Sequence, residues 1–277
     1  MKIAYFGCDL FIQCLDILQS HGHDIVAIFV ANTDDNITQL SRFSEVNKIS
    51  LFTEKPDKQQ IKQLEADGVE CFFSIEYNYL IPLPSPRVMT INMHPTMLPH
   101  GRGPTPLGHL ILQYPQYAGI SFHKLVESFD QGDIILQSPI QLDSNEGLDS
   151  LLNKLHIKIA EMLDELLTDL PQLYQQATAQ GKGSYWPALT DQDRLLNWHN
   201  STKEIAKCIR AFGRFGVVCC IGQEIWLVKN VETRVISHSL TAGSVLEFND
   251  KTCTVATTDG IVIIYTDSII ERKAINT

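Results

Sequence analysis

The first half of the chain alternates short apolar runs with segments whose apolar residues recur at helical spacing. Ile3-Ala4-Tyr5-Phe6 is such a run, closed by Gly7, and Leu10 to Ser20 follows with Leu10, Cys14, Leu15, Ile17 and Leu18 spaced for a helix. Ile25 to Val30, Val69 to Ile75 and Val88 to Met93 read as further buried strands, and Pro95 is expected to stop the last of them. Asn36 to Lys48 and Asp57 to Ala66 read as helices. Strands alternating with helices predict a mostly parallel sheet covered on both faces. Gly119 to Leu125 and Ile134 to Leu142 add two strands, and Leu148 to Ala179 is a long amphipathic helical stretch broken near Pro171.

The glycine-rich segment Gly181-Lys182-Gly183-Ser184 breaks the helical pattern and reads as a linker. After it the pattern turns to β. Ser201 to Phe212 is one helix, with Ser201 as N-cap and Glu204 completing a capping box. Short strands follow at Val217 to Ile221, Ile225 to Val231, Ser244 to Phe248, Thr252 to Thr257 and Gly260 to Tyr265, separated by turn signals such as Asn249-Asp250 and Asp259-Gly260. The expected organisation is an α/β domain over 1–183 and a small β-rich, OB-like domain over 184–277.

Composition narrows the class. The 277 residues are 44% hydrophobic and 19% charged, which excludes disorder, collagen and coiled coil. The 22 basic and 32 acidic side chains give a net charge of −10, unfavourable for a polyanion-binding protein. The split is uneven. Residues 186–277 hold ten basic and ten acidic side chains, so the whole excess lies in 1–185. No window reaches the ~18 apolar residues of a membrane span, and the N-terminal run is too short for a signal peptide. Seven scattered cysteines, none in C-x-x-C, fit a reduced, cytoplasmic protein.

Candidate chemistry centres on Asn92-Met93-His94 at the end of a predicted strand, where α/β sheets bind ligands. Two residues apart in extended backbone, Asn92 and His94 share a face. An amide donor can hold a developing oxyanion, and an imidazole can move a proton. Asp130, in Asp130-Gln131-Gly132-Asp133, sits in a turn from which a carboxylate could orient that imidazole. Singly, each has an ordinary structural reading: a hydrogen-bonded histidine at a strand end, a plain Asp-Gly turn. Gly7-Cys8-Asp9 lacks the glycine fingerprint of a dinucleotide loop, and His94 and His100 lack metal-ligand spacing, so no metal is expected.

In combination the motifs are specific. Asn92-x-His94-Pro-x-x-Leu98-Pro99-x-x-Arg102-Gly103, then Gly119-Ile120-Ser121, then Asp130-x-Gly132-Asp133-Ile134, resemble the folate-dependent formyltransferases, which move a formyl group from N10-formyltetrahydrofolate to an amine. The resemblance implies a Rossmann-like catalytic domain and catalytic roles for Asn92, His94 and Asp130. It implies a folate pocket formed by Ser74, Ile75, Tyr77, Tyr79, Leu80, Leu98 and Asp130, with the Leu98 to Gly103 loop and Ser74 to Leu80 closing over the pterin. Arg102, Gly103, Pro104, Thr105 and Trp186 are the expected substrate contacts. Arg102 equally well fastens its loop, and Trp186 is better read as packing.

Tyr185-Trp186-Pro187 and the helix at Ser201 to Phe212 resemble the C-terminal extension shared by two branches, methionyl-tRNA and sugar-nucleotide formyltransferases. Three features favour the sugar-nucleotide branch. The stretch Ala31 to Asn36 is short and acidic where the tRNA branch carries a basic loop, the C-terminal part is neutral, and Phe72 to Ile81 resembles the aromatic loop of the sugar branch. The implied activity is formylation of a nucleotide-linked amino-dideoxyhexose, best matched by dTDP-4-amino-4,6-dideoxyglucose, for surface polysaccharide such as O-antigen of lipopolysaccharide. A homodimer is expected, with no nucleic-acid partner. Methionyl-tRNA formyltransferase and a non-catalytic folate-binding module are the alternatives.

Overall fold

The computed structural model describes residues 1–30 and 37–274. The stretch Ala31 to Asn36, used above as an acidic loop, lies outside the described residues. The chain forms two compact units. One comprises Met1–Pro106, Tyr117–Gln141 and Lys154–Trp186, and the other Leu107–Gln116, Leu142–Asn153 and Pro187–Thr277. The division is therefore not a single cut at 183/184, because two segments of the first 183 residues belong with the second unit.

The first unit is built on β1 (Lys2–Gly7), α1 (Gln13–Ser20), β2 (Asp24–Val30), α2 (Thr38–Asn47), β3 (Ser50–Phe52), α3 (Lys58–Ala66), β4 (Cys71–Ile75) and β5 (Met89–Thr96). After α4 (Pro106–Leu112), which from Leu107 belongs to the second unit, come β6 (Ala118–Lys124), β7 (Ile134–Pro139), α5 (Leu148–Thr168), which is in the first unit from Lys154, and α6 (Leu170–Gln175). The seven strands make one sheet in the order β3-β2-β1-β4-β5-β6-β7. Pairing is parallel from β3 to β5 and antiparallel for β5–β6 and β6–β7. The Rossmann-like, mostly parallel sheet is as the alternation predicts. Inner strands read as continuous apolar runs because helices cover both faces, and five of six residues of β1 and all five of β4 are buried. Phe6 stacks on Phe29 at 4.9 Å and meets Tyr77 edge-on at 5.4 Å, an aromatic core lying just behind the cleft described below.

Several boundaries differ from the periodicity. Pro95 does not stop β5, which runs on to Thr96; its pairing with β6 shifts register between His94 and Thr96, so the missing N–H falls in a bulge. β3 is too short to leave a pattern. Helix ends at Thr168 and restarts at Leu170 with Pro171 in its first turn, but helix does not reach Ala179. The segment around Gly183 is no free linker. Ser184 N–H donates to the Pro99 carbonyl, Arg102 N–H to that of Ser184, and Trp186 N–H to that of Arg102. Asp9, beyond β1, accepts the N–H groups of Gln39 and Leu40 at 2.9 Å each. A carboxylate thus satisfies N–H groups at the start of α2.

The second unit carries α7 (Thr202–Phe212), whose Ser201/Glu204 capping box is formed as expected. Its strands are β8 (Val217–Ile221), β9 (Glu224–Val228), β10 (Glu232–Val235), β11 (Val245–Phe248), β12 (Thr252–Ala256), β13 (Gly260–Tyr265) and β14 (Ile269–Ala274). They form antiparallel sheets ordered β10-β13-β12-β11 and β14-β9-β8. β10 and β14, which escaped the pattern, are largely exposed sheet edges, each with three charged or polar side chains breaking the alternation. Among the described residues no helix is long and apolar enough to cross a membrane.

Candidate active site

The site grows from the pairing of β5 with β6. Register sets Asn92 opposite His123 and His94 opposite Ser121. The strand period of two then turns Asn92 and His94 to one face. The turn after β6 brings in Asp130, whose Oδ1 stands 3.5 Å from Nδ1 of His94 and 3.5 Å from Nε2 of His123. Its Oδ2 accepts the Gly103 N–H at 2.9 Å, joining the loop after β5 to the turn. Asp130 holds a left-handed backbone with φ 54°, a conformation Asp tolerates better than most residues. Gly132 is required beside it: a Cβ there would lie 1.8 Å from the Lys124 carbonyl oxygen. Gly103 is required too, since at φ 122° its Cβ would meet the Trp186 carbonyl at 2.1 Å.

Carbonyl partners fix the protons on both rings. A carbonyl only accepts, so His94 donates from Nε2 to Gly101 at 2.7 Å, leaving Nδ1 towards Asp130 as the nitrogen that can gain a proton. His123 donates from Nδ1 to the Lys124 carbonyl at 2.8 Å, so its Nε2 accepts from the Asn92 amide at 3.0 Å. That contact fixes which end of the Asn92 amide is NH₂. Burial holds the His94 pKa below its ordinary value, against the Asp130 charge and the Gly101 carbonyl, which raise it, while His123 lowers it further. For Asp130 burial alone would raise the pKa, but His94, His123 and the Gly103 N–H together bring it down to about 2. The site therefore sets a fixed carboxylate beside a neutral imidazole.

These side chains open onto a cleft of about 220 Å³. Its walls are aromatic and aliphatic (Tyr77, Tyr79, Leu80, Ile81, Leu125, Phe129), and its polar end carries Ser74, Glu76, Asn92, His94, His123 and Asp130. The Tyr77 hydroxyl is buried with no partner among the described residues. Glu76 also sits at positive φ, 57°, and burial, then the Asp130 charge, pushes its carboxyl up to about 7. Apolar walls with a few convergent polar groups suit a flat heteroaromatic ligand held at one end. Among the described residues, no three His, Cys, Asp or Glu side chains form a metal-binding group.

Residues 1–167 match the formyl transferase family and residues 188–277 match its C-terminal domain. The chain belongs to the formyl transferase family. A methionyl-tRNA formyltransferase of Coprothermobacter proteolyticus is 26% identical over 256 residues, covering 88% of this chain and 84% of that protein. Among solved structures, WlaRD, a sugar 3N-formyl transferase crystallised with dTDP and 5-N-formyl-THF, superposes with a TM-score of 0.69 at 18% identity, covering 98% of both chains. HypX from Aquifex aeolicus in complex with tetrahydrofolic acid gives a TM-score of 0.71 at 18% identity, covering 95% of this chain. The chain spans only 43% of HypX. At these identities the structural likenesses establish the fold.

Within this formyl transferase, Ser74, Tyr77, Tyr79, Leu80, Asn92, His94, Gly103, Pro104 and Asp130 line one cleft. Five expected contacts do not. Ile75 is fully buried in β4, where a parallel inner strand hides both faces. Leu98 is buried, its N–H donated to Ser121 Oγ at 3.1 Å. Thr105 is exposed outside the cleft lining, and Trp186 is 5% exposed, packed beside Gly101 and Tyr117. Arg102 fastens its loop: Nε and Nη2 both donate to Gln180 Oε1, at 3.0 and 2.7 Å. Gln180 in turn donates from Nε2 to the carbonyls of Asp130 and Gly132, strapping the Asp130 turn. Sequence reasoning missed His123, Glu76 and Gln180. His123 had a signal, a polar residue within the apolar run Gly119 to Leu125, but its register against Asn92 is a long-range fact.

Proposed function

We propose that this formyl transferase uses N10-formyltetrahydrofolate to formylate the amine of a nucleotide-linked amino-dideoxyhexose. The observation that carries the chemistry is the convergence of Asn92, His94 and Asp130 at the polar end of one apolar cleft. When bound, the cofactor supplies the formyl carbon that the amine attacks. The cleft suits it: Tyr77, Tyr79, Leu80 and Ile81 offer flat apolar walls, and the Tyr77 hydroxyl is free to meet a polar atom. Asn92, its NH₂ turned by His123, donates to the formyl oxygen as negative charge develops there. His94 takes at Nδ1 the proton that the attacking amine loses and gives it to the nitrogen that the formyl group leaves as that C–N bond breaks, with Asp130 stabilising the imidazolium at each exchange. Glu76 is a second group in the cleft able to hold or release a proton near neutrality.

Charge supports a sugar nucleotide over tRNA. The net −10 resides in residues 1–185, and the C-terminal region is neutral, so no basic surface of the kind a polyanion needs is evident in the composition. Methionyl-tRNA remains the second reading because a relative 26% identical over most of the chain bears that name. The reading carries with it a cytoplasmic enzyme whose cysteines stay reduced and which pairs as a homodimer. The test is purified protein with N10-formyltetrahydrofolate and each of dTDP-4-amino-4,6-dideoxyglucose, its 3-amino isomer, a GDP-linked 4-amino sugar and methionyl-tRNA, read by product mass. Gain of one CO on a nucleotide sugar is the expected result. Gain on methionyl-tRNA alone overturns the substrate, and turnover of no amine overturns the activity.

A further inference from the structure

A second depression adjoins the cleft. It is a groove of about 690 Å³, open to solvent, and it shares Leu80 and Ile81 with the cleft as a common wall. Its floor is apolar, from Ile61, Pro82, Leu83 and Pro84, and its rim carries Lys55, Lys58 and Lys62. Lys58 and Lys62 are four apart on α3 and so stand on one face of it, and Lys55 precedes the helix. All three ammonium groups are exposed and make no hydrogen bond or ion pair with any described residue. Of the two acids on the rim, Glu65 is engaged, accepting the Ser85 N–H at 2.9 Å, and Glu127 stands alone. Like charges four apart weaken a helix, and the surrounding residues 1–185 are strongly acidic. The three lysines outnumber the two carboxylates of the groove, a local excess of basic charge within an acidic part of the chain, and that excess favours an anion there.

We propose that this groove binds the γ-linked oligoglutamate tail of the folate, an inference that rests on the folate reading above. The reacting formyl nitrogen must lie at the polar end, by Asn92 and His94. The benzoyl-glutamate portion of the cofactor extends away from that nitrogen. Leu80 and Ile81 line both the cleft and the lysine groove, so a tail leaving the cleft beside them meets three lysines set against two carboxylates, Glu65 and Glu127. Each added glutamate brings one more carboxylate, whereas the protein as a whole repels anions at net −10. A preference for longer tails therefore requires a local basic site.

The test measures Kd by calorimetry for tetrahydrofolate bearing one or five γ-linked glutamates, in the wild type and in K55Q/K58Q/K62Q. The substituted side chains are exposed and unpartnered, so the fold is kept, and circular dichroism checks it. Three exposed charge contacts should make the pentaglutamate bind about tenfold more tightly to the wild type, with the gap shrinking as salt rises. In the triple variant the gap closes or reverses. Equal affinities in the wild type, or a gap that survives in the variant, overturn the proposal and leave the folate reading standing. Weakened binding of dTDP in the variant with the tail preference intact also overturns it, by giving the groove to the nucleotide. Failure of either folate to bind the wild type overturns the folate reading, and the proposal with it.

Discussion

His123 sits directly across the β5–β6 ladder from Asn92 and accepts a hydrogen bond from its amide, Nδ2 to Nε2, at 3.0 Å. The Lys124 carbonyl holds the ring by its other nitrogen at 2.8 Å. On the proposed mechanism His123 therefore decides which end of the Asn92 amide meets the formyl oxygen. Replacing His123 with Ala frees the amide to rotate. We expect kcat to fall about 10-fold to 10²-fold, less than loss of the donor itself, while KM for the folate barely moves. His123→Gln offers an acceptor oxygen near the same place and should recover part of the rate. An equal rise in KM, or no recovery with Gln, would assign His123 to packing alone.

The three converging groups should fail in proportion to their work. Asn92→Ala removes an oxyanion donor and is expected to lower kcat ~10²–10³-fold. His94→Asn removes the proton carrier and Asp130→Ala the charge that stabilises its imidazolium, each with an expected loss of ~10²–10⁴-fold. Thermal unfolding of each variant checks that the fold survives. Near-normal turnover by any one of them removes that residue from the mechanism.

Much of this arrangement was legible in the chain and some was not, for identifiable reasons. Parallel inner strands are buried on both faces, so β1, β2 and β4 appear as nearly unbroken apolar runs. Asn92 and His94 share a face by the two-residue period alone, and the α7 capping box is a local pattern. What escaped depends on pairing between distant segments: His123 against Asn92, Gln180 against Asp130, Arg102 against Gln180. β10 and β14 escaped because exposed edges carry charges that break the alternation. Pro95 misled because a bulge spares it the ladder hydrogen bond that it lacks the N–H to make.

Two cleft carboxyls should leave opposite marks on stability against pH. Asp130 is lowered from 3.8 to about 2 in the folded protein, so it favours folding above pH 3.8 and that contribution is lost as pH falls towards 2. Glu76 is raised from 4.5 to about 7, so its contribution is full below pH 4.5 and lost as pH rises through 7. Glu76→Gln cannot ionise. Between pH 4.5 and 7.5 its denaturation midpoint should lack the decline that Glu76 imposes on the wild type. Parallel curves for the two proteins would show that Glu76 titrates in the ordinary carboxyl range.

Gly132 offers a geometric test of the turn that aims Asp130. A methyl group at that position would sit 1.8 Å from the Lys124 carbonyl oxygen, backbone that belongs to β6 and cannot yield. Gly132→Ala should therefore shift the turn, cost about 1–3 kcal/mol of stability as overpacking does, and lower kcat through the displaced carboxylate. Unchanged urea midpoint and turnover would mean that the turn is pliable and does not aim Asp130.

Arg102 and Gln180 separate the two roles left open for the arginine. The guanidinium donates from Nε and Nη2 to Gln180 Oε1, with Nη2 also reaching the Gly181 carbonyl at 3.3 Å, and Gln180 Nε2 holds the Asp130 and Gly132 carbonyls at 2.9 and 2.7 Å. If the arginine fastens the loop, Arg102→Ala and Gln180→Ala interrupt the same chain of hydrogen bonds. Each should lower kcat by roughly tenfold, since a neutral hydrogen bond contributes about 0.5–1.5 kcal/mol and one from a charged donor about 1.5–3 kcal/mol. The double variant should then be little worse than either single one, because residues in one network are not additive. A phosphate-binding arginine behaves differently. Arg102→Ala would then raise KM for the nucleotide sugar while Gln180→Ala left it unchanged, and the two losses would add in the double variant. The strap already uses Nε and Nη2 together on one acceptor, the geometry of an anchor, so the non-additive outcome with an unmoved KM is the one expected.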